Sequence, residues 1–175
     1  MILGTKLKNY GHCRHKKLPV PETDKHERNI WAQGTKERTV MQHINVQNIA
    51  KKTMEYMKDR IHSGMNLLEV RNLCEAKMME LGADSFWYWD VGAFVFAGDE
   101  TTLSVSGKEY TTSTRVIAEN DIITIDLSPQ NGDTWGDYAR TIIIENGKIV
   151  ESDNVSNVEW KNGLLMEEYL HEKMC

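Results

Sequence analysis

Asp126 and Asp137 flank the dipeptide Asn131-Gly132 in the run Asp121-Ile-Ile-Thr-Ile-Asp126-Leu-Ser-Pro-Gln-Asn131-Gly132-Asp-Thr-Trp-Gly-Asp137. Asn-Gly is the strongest short-range signal for a two-residue hairpin turn. A turn centred there pairs Gln130 with Asp133, Ser128 with Trp135 and Asp126 with Asp137. The two carboxylates then face each other on one side of a sheet, with Cβ atoms about 5 Å apart. Like charges so placed destabilise a hairpin, so either one is protonated or a cation lies between them. Oxygen donors in that arrangement suit a divalent metal such as Mn, Co or Zn. The plainer alternatives are that both are turn residues at strand ends, or that the register slips by one and parts them.

Positioning two such groups needs a sheet and something to back it. Thr39-x-x-Gln42 has the form of a capping box. It predicts a helix to about His62, with Ala50, Met54, Met57 and Ile61 on its inner face and Ser63-Gly64 as its stop. Asn66-x-x-Glu69 predicts a second helix, with Val70, Leu73, Cys74, Met78 and Leu81 inward and Gly82 at its end. Methionines at this spacing are read as core. Ser85–Asp90 and Ala93–Phe96 are β-prone, and Ile122–Leu127, Trp135–Ile144 and Lys148–Val150 form a meander whose second turn is Asn146-Gly147. Ser156-x-x-Glu159 is a third capping box, opening a helix that carries Leu164, Leu165 and Tyr169.

Glu119-Asn120-Asp121 followed by an apolar strand ending in Asp126, with Gly136-Asp137-Tyr-Ala-Arg140-Thr141 on the return strand, resembles the pita-bread metallopeptidases. These are the methionine aminopeptidases, Xaa-Pro aminopeptidases and prolidases. The resemblance runs from about Thr39 to the end of the chain. It implies an α+β fold: half of a pita-bread domain, an antiparallel sheet with two covering helices and a C-terminal helix. On that reading residues 1–38 are a basic N-terminal arm and 39–155 the first half of the domain. Residues 156–175 are then the opening helix of a truncated second half. The offset from Thr39 to Ser156 is taken as the repeat between halves.

The resemblance also implies a function, removal of N-terminal residues from peptides, with Asp126 chelating one metal and Asp137 bridging two. The family's other ligands, a His and two Glu, belong to the second half. Only the two aspartates are present here, so no catalytic residue is assigned and the chain alone is expected to be inactive. His171-Glu172 is a tempting substitute, but it lies in a helix expected to pack elsewhere. The substrate-contacting His of the family has no counterpart in Leu103–Tyr110, where Ser104 or Ser106 takes its place. Two further readings stay open: a non-catalytic peptide- or protein-binding module, and a half-enzyme completed by another chain. With the second half missing, apolar side chains of Ile122–Ile125 and Ile142–Ile144 are expected to meet water. A two-fold homodimer would cover them.

Composition sets bounds on the rest. At 175 residues and 40% hydrophobic content the chain can build one domain with a core. No apolar run approaches the ~20 residues of a membrane span, and Met1–Tyr10 lacks an apolar segment of signal-peptide type. Three scattered cysteines argue against a disulfide framework. The chain is therefore read as cytoplasmic. Net charge is -5, yet residues 1–38 hold nine Lys/Arg against four Asp/Glu. That arm, with Tyr10 and Trp31 as its aromatics, reads as lying on an acidic body rather than on nucleic acid. Its Gly11-His-Cys-Arg-His15 is Cys/His-dense but has no second ligand pair nearby, His26 and Cys74 being isolated.

Overall fold

A computed structural model describes the backbone of residues 25–174 and the side chains from residue 39 onward, except those of Leu170, His171 and Met174. The Gly11–His15 cluster and the side chains of His26 and Trp31 lie outside the described residues. The chain divides into two units, Met1–Lys36 and Glu37–Cys175, and the second holds both sheets.

Helix α1 spans Lys25–Lys58, so Thr39 lies inside it and is not its cap. The residues before Thr39 are mostly good helix formers without proline, and one glycine, Gly34, costs too little to end the helix. Helix α2, Leu67–Glu80, starts where expected. Asn66 is extended, and its side chain accepts from the Leu68 N–H at 2.8 Å. Gly82 follows with φ +109°, the left-handed stop that glycine adopts without strain.

Among the described residues, seven strands make two sheets. They are β1 (Ser85–Phe86), β2 (Ala93–Ala97), β3 (Asp121–Leu127), β4 (Pro129–Asn131), β5 (Thr134–Trp135), β6 (Tyr138–Glu145) and β7 (Lys148–Val150). The larger sheet has order β2-β3-β6-β7 and the smaller β1-β4-β5, with all pairs antiparallel. The aromatic run after Ser85 does not stay extended. It turns over at Trp89 and Asp90, both with φ +57°.

Alternation along β3 sorts the two faces of the larger sheet. Ile123, Ile125 and Leu127 are fully buried against Ala50, Met54 and Met57 of α1 and Val70, Cys74 and Met78 of α2. Each such side chain contributes about 1.5–3 kcal/mol of burial. Ile122, Thr124 and Asp126 point the other way and are half-buried.

Helix α3, Val158–Met174, lies on that second face. Leu164 and Val155 pack with Ile143, and Trp160 joins Ile122 and Val150 around them. The expectation that Ile122–Ile125 and Ile142–Ile144 meet water is therefore corrected: Ile123, Ile125, Ile142 and Ile144 are buried against α1 and α2, and α3 folds back over Ile122 and Ile143. Its cap is Asn157, not Ser156. Asn157 Oδ1 accepts from the N–H groups of Glu159 and Trp160 at 3.0 and 3.1 Å. The Ser156 and Asn157 N–H groups donate instead to the Glu145 carboxylate at 2.9 and 3.2 Å. Neither Thr39 nor Ser156 therefore acts as a helix cap.

Candidate metal centre

Asp126 lies near the end of β3, opposite Phe94 on β2 and Ala139 on β6. Helix α3 covers the Ile122 end of this face. The Asp126 end opens into a cavity of about 280 Å³, lined by Tyr88, Phe94, Phe96, Leu103, Ser104 and Thr124 among others. Aromatic rings build its wall in sequence. Tyr88 packs on Phe94 at 5.6 Å between centroids, and Phe94 on Tyr110 at 4.5 Å.

The hairpin register differs from expectation by two residues. Asn131 pairs with Thr134 and Gln130 with Trp135, so the central turn residues are Gly132 and Asp133. Only Gly132 has positive φ, +55°, which fits a two-residue turn with glycine first rather than the Asn-Gly form. Asn131 is occupied elsewhere: its Nδ2 donates to the Gly82 carbonyl at 2.6 Å, while the Gly132 N–H donates to Asp84 at 2.8 Å. At Asn146-Gly147, whose N–H groups donate to Asn120 Oδ1 and to the Glu119 carbonyl, both residues take positive φ and the Asn-Gly turn forms as expected.

A shift of two leaves side-chain parity unchanged. Asp137 is thus not opposite Asp126, which faces Ala139, but one step along on the same face. It follows Gly136 in a break between β5 and β6. Gly136 is buried against α1. A Cβ there would come within 3.1 Å of Val46 Cγ1 and 3.2 Å of the Val46 backbone. The Gly136 carbonyl accepts from Trp87 Nε1 at 2.8 Å, and its N–H donates to Pro129 O at 2.8 Å. Neither Trp87 nor Gln47, which bonds the Asp137 peptide, was singled out from the sequence. Their only signal is three-dimensional.

The two carboxylates interact. Burial first, then the charge of Asp137 and a hydrogen bond with it, push the Asp126 pKa up to about 6. A carboxyl whose folded pKa is raised holds a proton in the folded state that the unfolded chain has released. Without metal, its contribution therefore favours folding near pH 4 and is lost as pH rises through about 6. The Asp126→Asn variant should accordingly be more stable than the parent at pH 7 in chelator-treated buffer, with the difference vanishing near pH 4. Thermal melts across pH 4–7 check this, and a variant less stable at pH 7 contradicts it.

Other candidates are dispersed. Ser104 lines the Asp126 cavity, whereas the Ser106 hydroxyl caps its own turn at Lys108 N. Glu172 lines a different groove, with Lys51, Lys58, Glu167 and Glu168; the His171 side chain lies outside the described residues. Burial pushes the Cys74 thiol up to about 12, so it serves as core rather than as a ligand. Among the described residues no group of three or more His, Cys, Asp or Glu is placed to hold a metal ion. No helix among them is long and apolar enough to cross a membrane.

An antiparallel sheet backed by two helices, with a third helix on its opposite face, is the architecture of half a pita-bread domain. The sequence model of metallopeptidase family M24 matches residues 42–158, and the chain belongs to that family. Similar solved structures include X-Pro aminopeptidase from Thermotoga maritima MSB8 (21% identity, TM-score 0.54) and prolidase from Pyrococcus horikoshii OT3 (22%, 0.54). Xaa-Pro dipeptidase from Bacillus anthracis is similar too (24%, 0.54). Each match covers 62% of this chain and 28–29% of the other, so the chain spans less than a third of these proteins' length. No curated protein matches the sequence.

Proposed function

We propose that this chain supplies the two-aspartate wall of a metal-dependent site that removes N-terminal residues from peptides, of Xaa-Pro or methionine aminopeptidase type. One observation carries the reading. In a chain of family M24, Asp126 lines an aromatic cavity and its carboxyl is hydrogen-bonded to that of Asp137. The donor set fits a hard divalent cation such as Mn, Co or Zn, because a positive charge would reverse the penalty that raises the Asp126 pKa. Bound divalent ions supply an acidified water and a polarised peptide carbonyl. Asp126 and Asp137 would hold them, while Tyr88, Phe94 and Phe96 present flat apolar surface to the first residue of a peptide and keep water from it.

Two carboxylates do not complete such a site. The remaining ligands and the general base are placed beyond the described residues, in a further segment, a separate chain or a second copy. Titration of the labelled chain with a peptide, in Mn²⁺ buffer, tests the reading. A free amino terminus should shift resonances of Tyr88, Phe94, Phe96 and Thr124, and the N-acetylated peptide should not. Equal shifts from both peptides, or from neither, would overturn it.

The cavity favours a second reading as well, peptide binding without hydrolysis. Beside Asp126, its polar lining is the hydroxyls of Thr101, Ser104, Thr124 and Tyr88, which can donate to and accept from a peptide backbone. The two readings part when a chain that supplies the missing ligands is added: turnover supports the first, and saturable binding still without product supports the second.

Self-association belongs to the proposal. Val158, Leu165, Met166 and Tyr169 of α3 are 43–69% exposed and offer apolar surface to a second copy. Light scattering should show the mass falling toward 20.1 kDa on dilution; a monomer mass at every concentration contradicts this.

A further inference from the structure

The second carboxylate lies where its strand is interrupted. β5 ends at Trp135 and β6 begins at Tyr138, so Gly136 and Asp137 belong to neither. An irregular pair of residues is a poor mount for a group that must be held in place. Yet the Asp137 peptide is bonded at both ends by one side chain. Its N–H donates to Gln47 Oε1 at 3.1 Å, and its C=O accepts from Gln47 Nε2 at 2.6 Å.

At neutral pH the carboxamide of Asn or Gln offers an acceptor and a donor side by side on one planar group, which an ionised carboxylate does not. Gln47 therefore does for Asp137 what a neighbouring strand residue does in an antiparallel ladder, where two residues exchange both bonds. Glutamate at this position would set a carboxylate against a carbonyl, and lysine would leave the N–H without an acceptor. The mount is stiff because Gln47 follows Val46, the residue on which Gly136 packs at backbone contact. Trp87 holds the Gly136 carbonyl. Both residues of the break are thus tied to other elements, Asp137 to a helix 90 positions away in sequence.

We propose that Gln47 is a positioning residue for Asp137: its carboxamide locks the break between β5 and β6, and so aims the Asp137 carboxylate at the face that carries Asp126. This rests on the metal reading of the two aspartates given above. The assignment makes α1 part of the site, although it contributes no group that touches metal or substrate.

The test uses this chain, Mn²⁺ alone as the probe, and the variants Gln47→Met, Asn48→Ala and Asp137→Asn. Amide exchange at Asp137 and Mn²⁺ affinity are read together. In Gln47→Met, exchange at Asp137 should rise roughly tenfold and Mn²⁺ affinity should fall by roughly threefold to tenfold, the scale of one or two lost hydrogen bonds. The Ile123 and Ile125 amides should keep their protection, and Asn48→Ala should change nothing. If Gln47→Met fails to fold, Gln47→Asn, one methylene short, gives the same readouts.

Unchanged exchange and affinity in Gln47→Met, while Asp137→Asn weakens binding, would overturn the Gln47 proposal and leave the metal reading standing. An even loss of protection through Ile123 and Ile125 would also overturn it, because Gln47 would then be a general stabiliser. Unchanged Mn²⁺ binding in Asp137→Asn would instead remove the metal reading on which the proposal rests.

Discussion

Replacing Asp121 by alanine should cost about 2–3 kcal/mol of stability, the scale of stranding buried donors that had bonded a charged group. Asp121 is 3% exposed at the start of β3. Its Oδ1 accepts from Arg115 Nη2 at 3.1 Å and from its neighbour Ile122 N–H at 3.0 Å. Its Oδ2 accepts from Ala118 N–H at 2.9 Å and lies 2.9 Å from Arg115 Nη1, an ion contact without hydrogen-bond alignment. Truncation strands these donors, while the Arg115 side chain, a third exposed, keeps part of its hydration. Arg115 also packs beneath Gly98, where an added Cβ would fall 2.7 Å from Nη2, so it has little room to swing out. Urea unfolding of Asp121→Ala measures the loss. A change under 1 kcal/mol would show that water replaces the carboxylate at little cost. The effect reaches the site because this knot fixes the strand that presents Asp126 five residues on.

The second large effect is catalytic. The chain alone should hydrolyse peptides no faster than buffer containing the same Mn²⁺ or Co²⁺. Two-metal hydrolysis needs both ions held and a base within hydrogen-bond reach of the attacking water. Asp126 and Asp137 supply two carboxylates, and the described residues bring no third ligand beside them. Enzymes of ordinary power exceed background by 10⁶-fold or more, so even a crippled site would be visible. Release of the first residue from Xaa-Pro and Met-initiated peptides, followed by chromatography, checks this. Turnover abolished by Asp137→Asn would mean that a second copy or an unassigned residue completes the site.

Parity and local chemistry made much of this legible from the sequence. Alternation in β3 put Asp126 on the face away from α1 and α2, and an even register error left Asp137 on the same face. Asn66 and Gly82 act within their own turns, and both ends of α2 are where they were read. Failures came where a distant partner decided the outcome. Asn131 bonds Gly82 and Asp84 holds Gly132, so the turn moved by one residue to Gly132-Asp133. Glu145 takes the Ser156 N–H, and Asn157 becomes the cap of α3. The break at Gly136-Asp137 reads in sequence as a continuous strand; α1 lies close enough at Val46 to leave no room for a larger residue at Gly136, and Gln47 bonds the Asp137 peptide. The fold-back of α3 over Ile122 and Ile143 likewise depends on packing that periodicity does not encode.

The central claim is that Asp126 and Asp137 together form a cation site. A Mn²⁺ titration of the ¹⁵N-labelled chain tests it most directly, because paramagnetic broadening reports both affinity and place. Broadening should centre on the amides around Asp126 and Asp137, with an apparent Kd in the high-micromolar range or weaker, on the order of -5 kcal/mol. It should be lost in Asp126→Asn and in Asp137→Asn. Broadening centred elsewhere, or unchanged in both variants, would contradict the claim. Submicromolar binding would contradict the reading that these two carboxylates are the whole of what the chain offers.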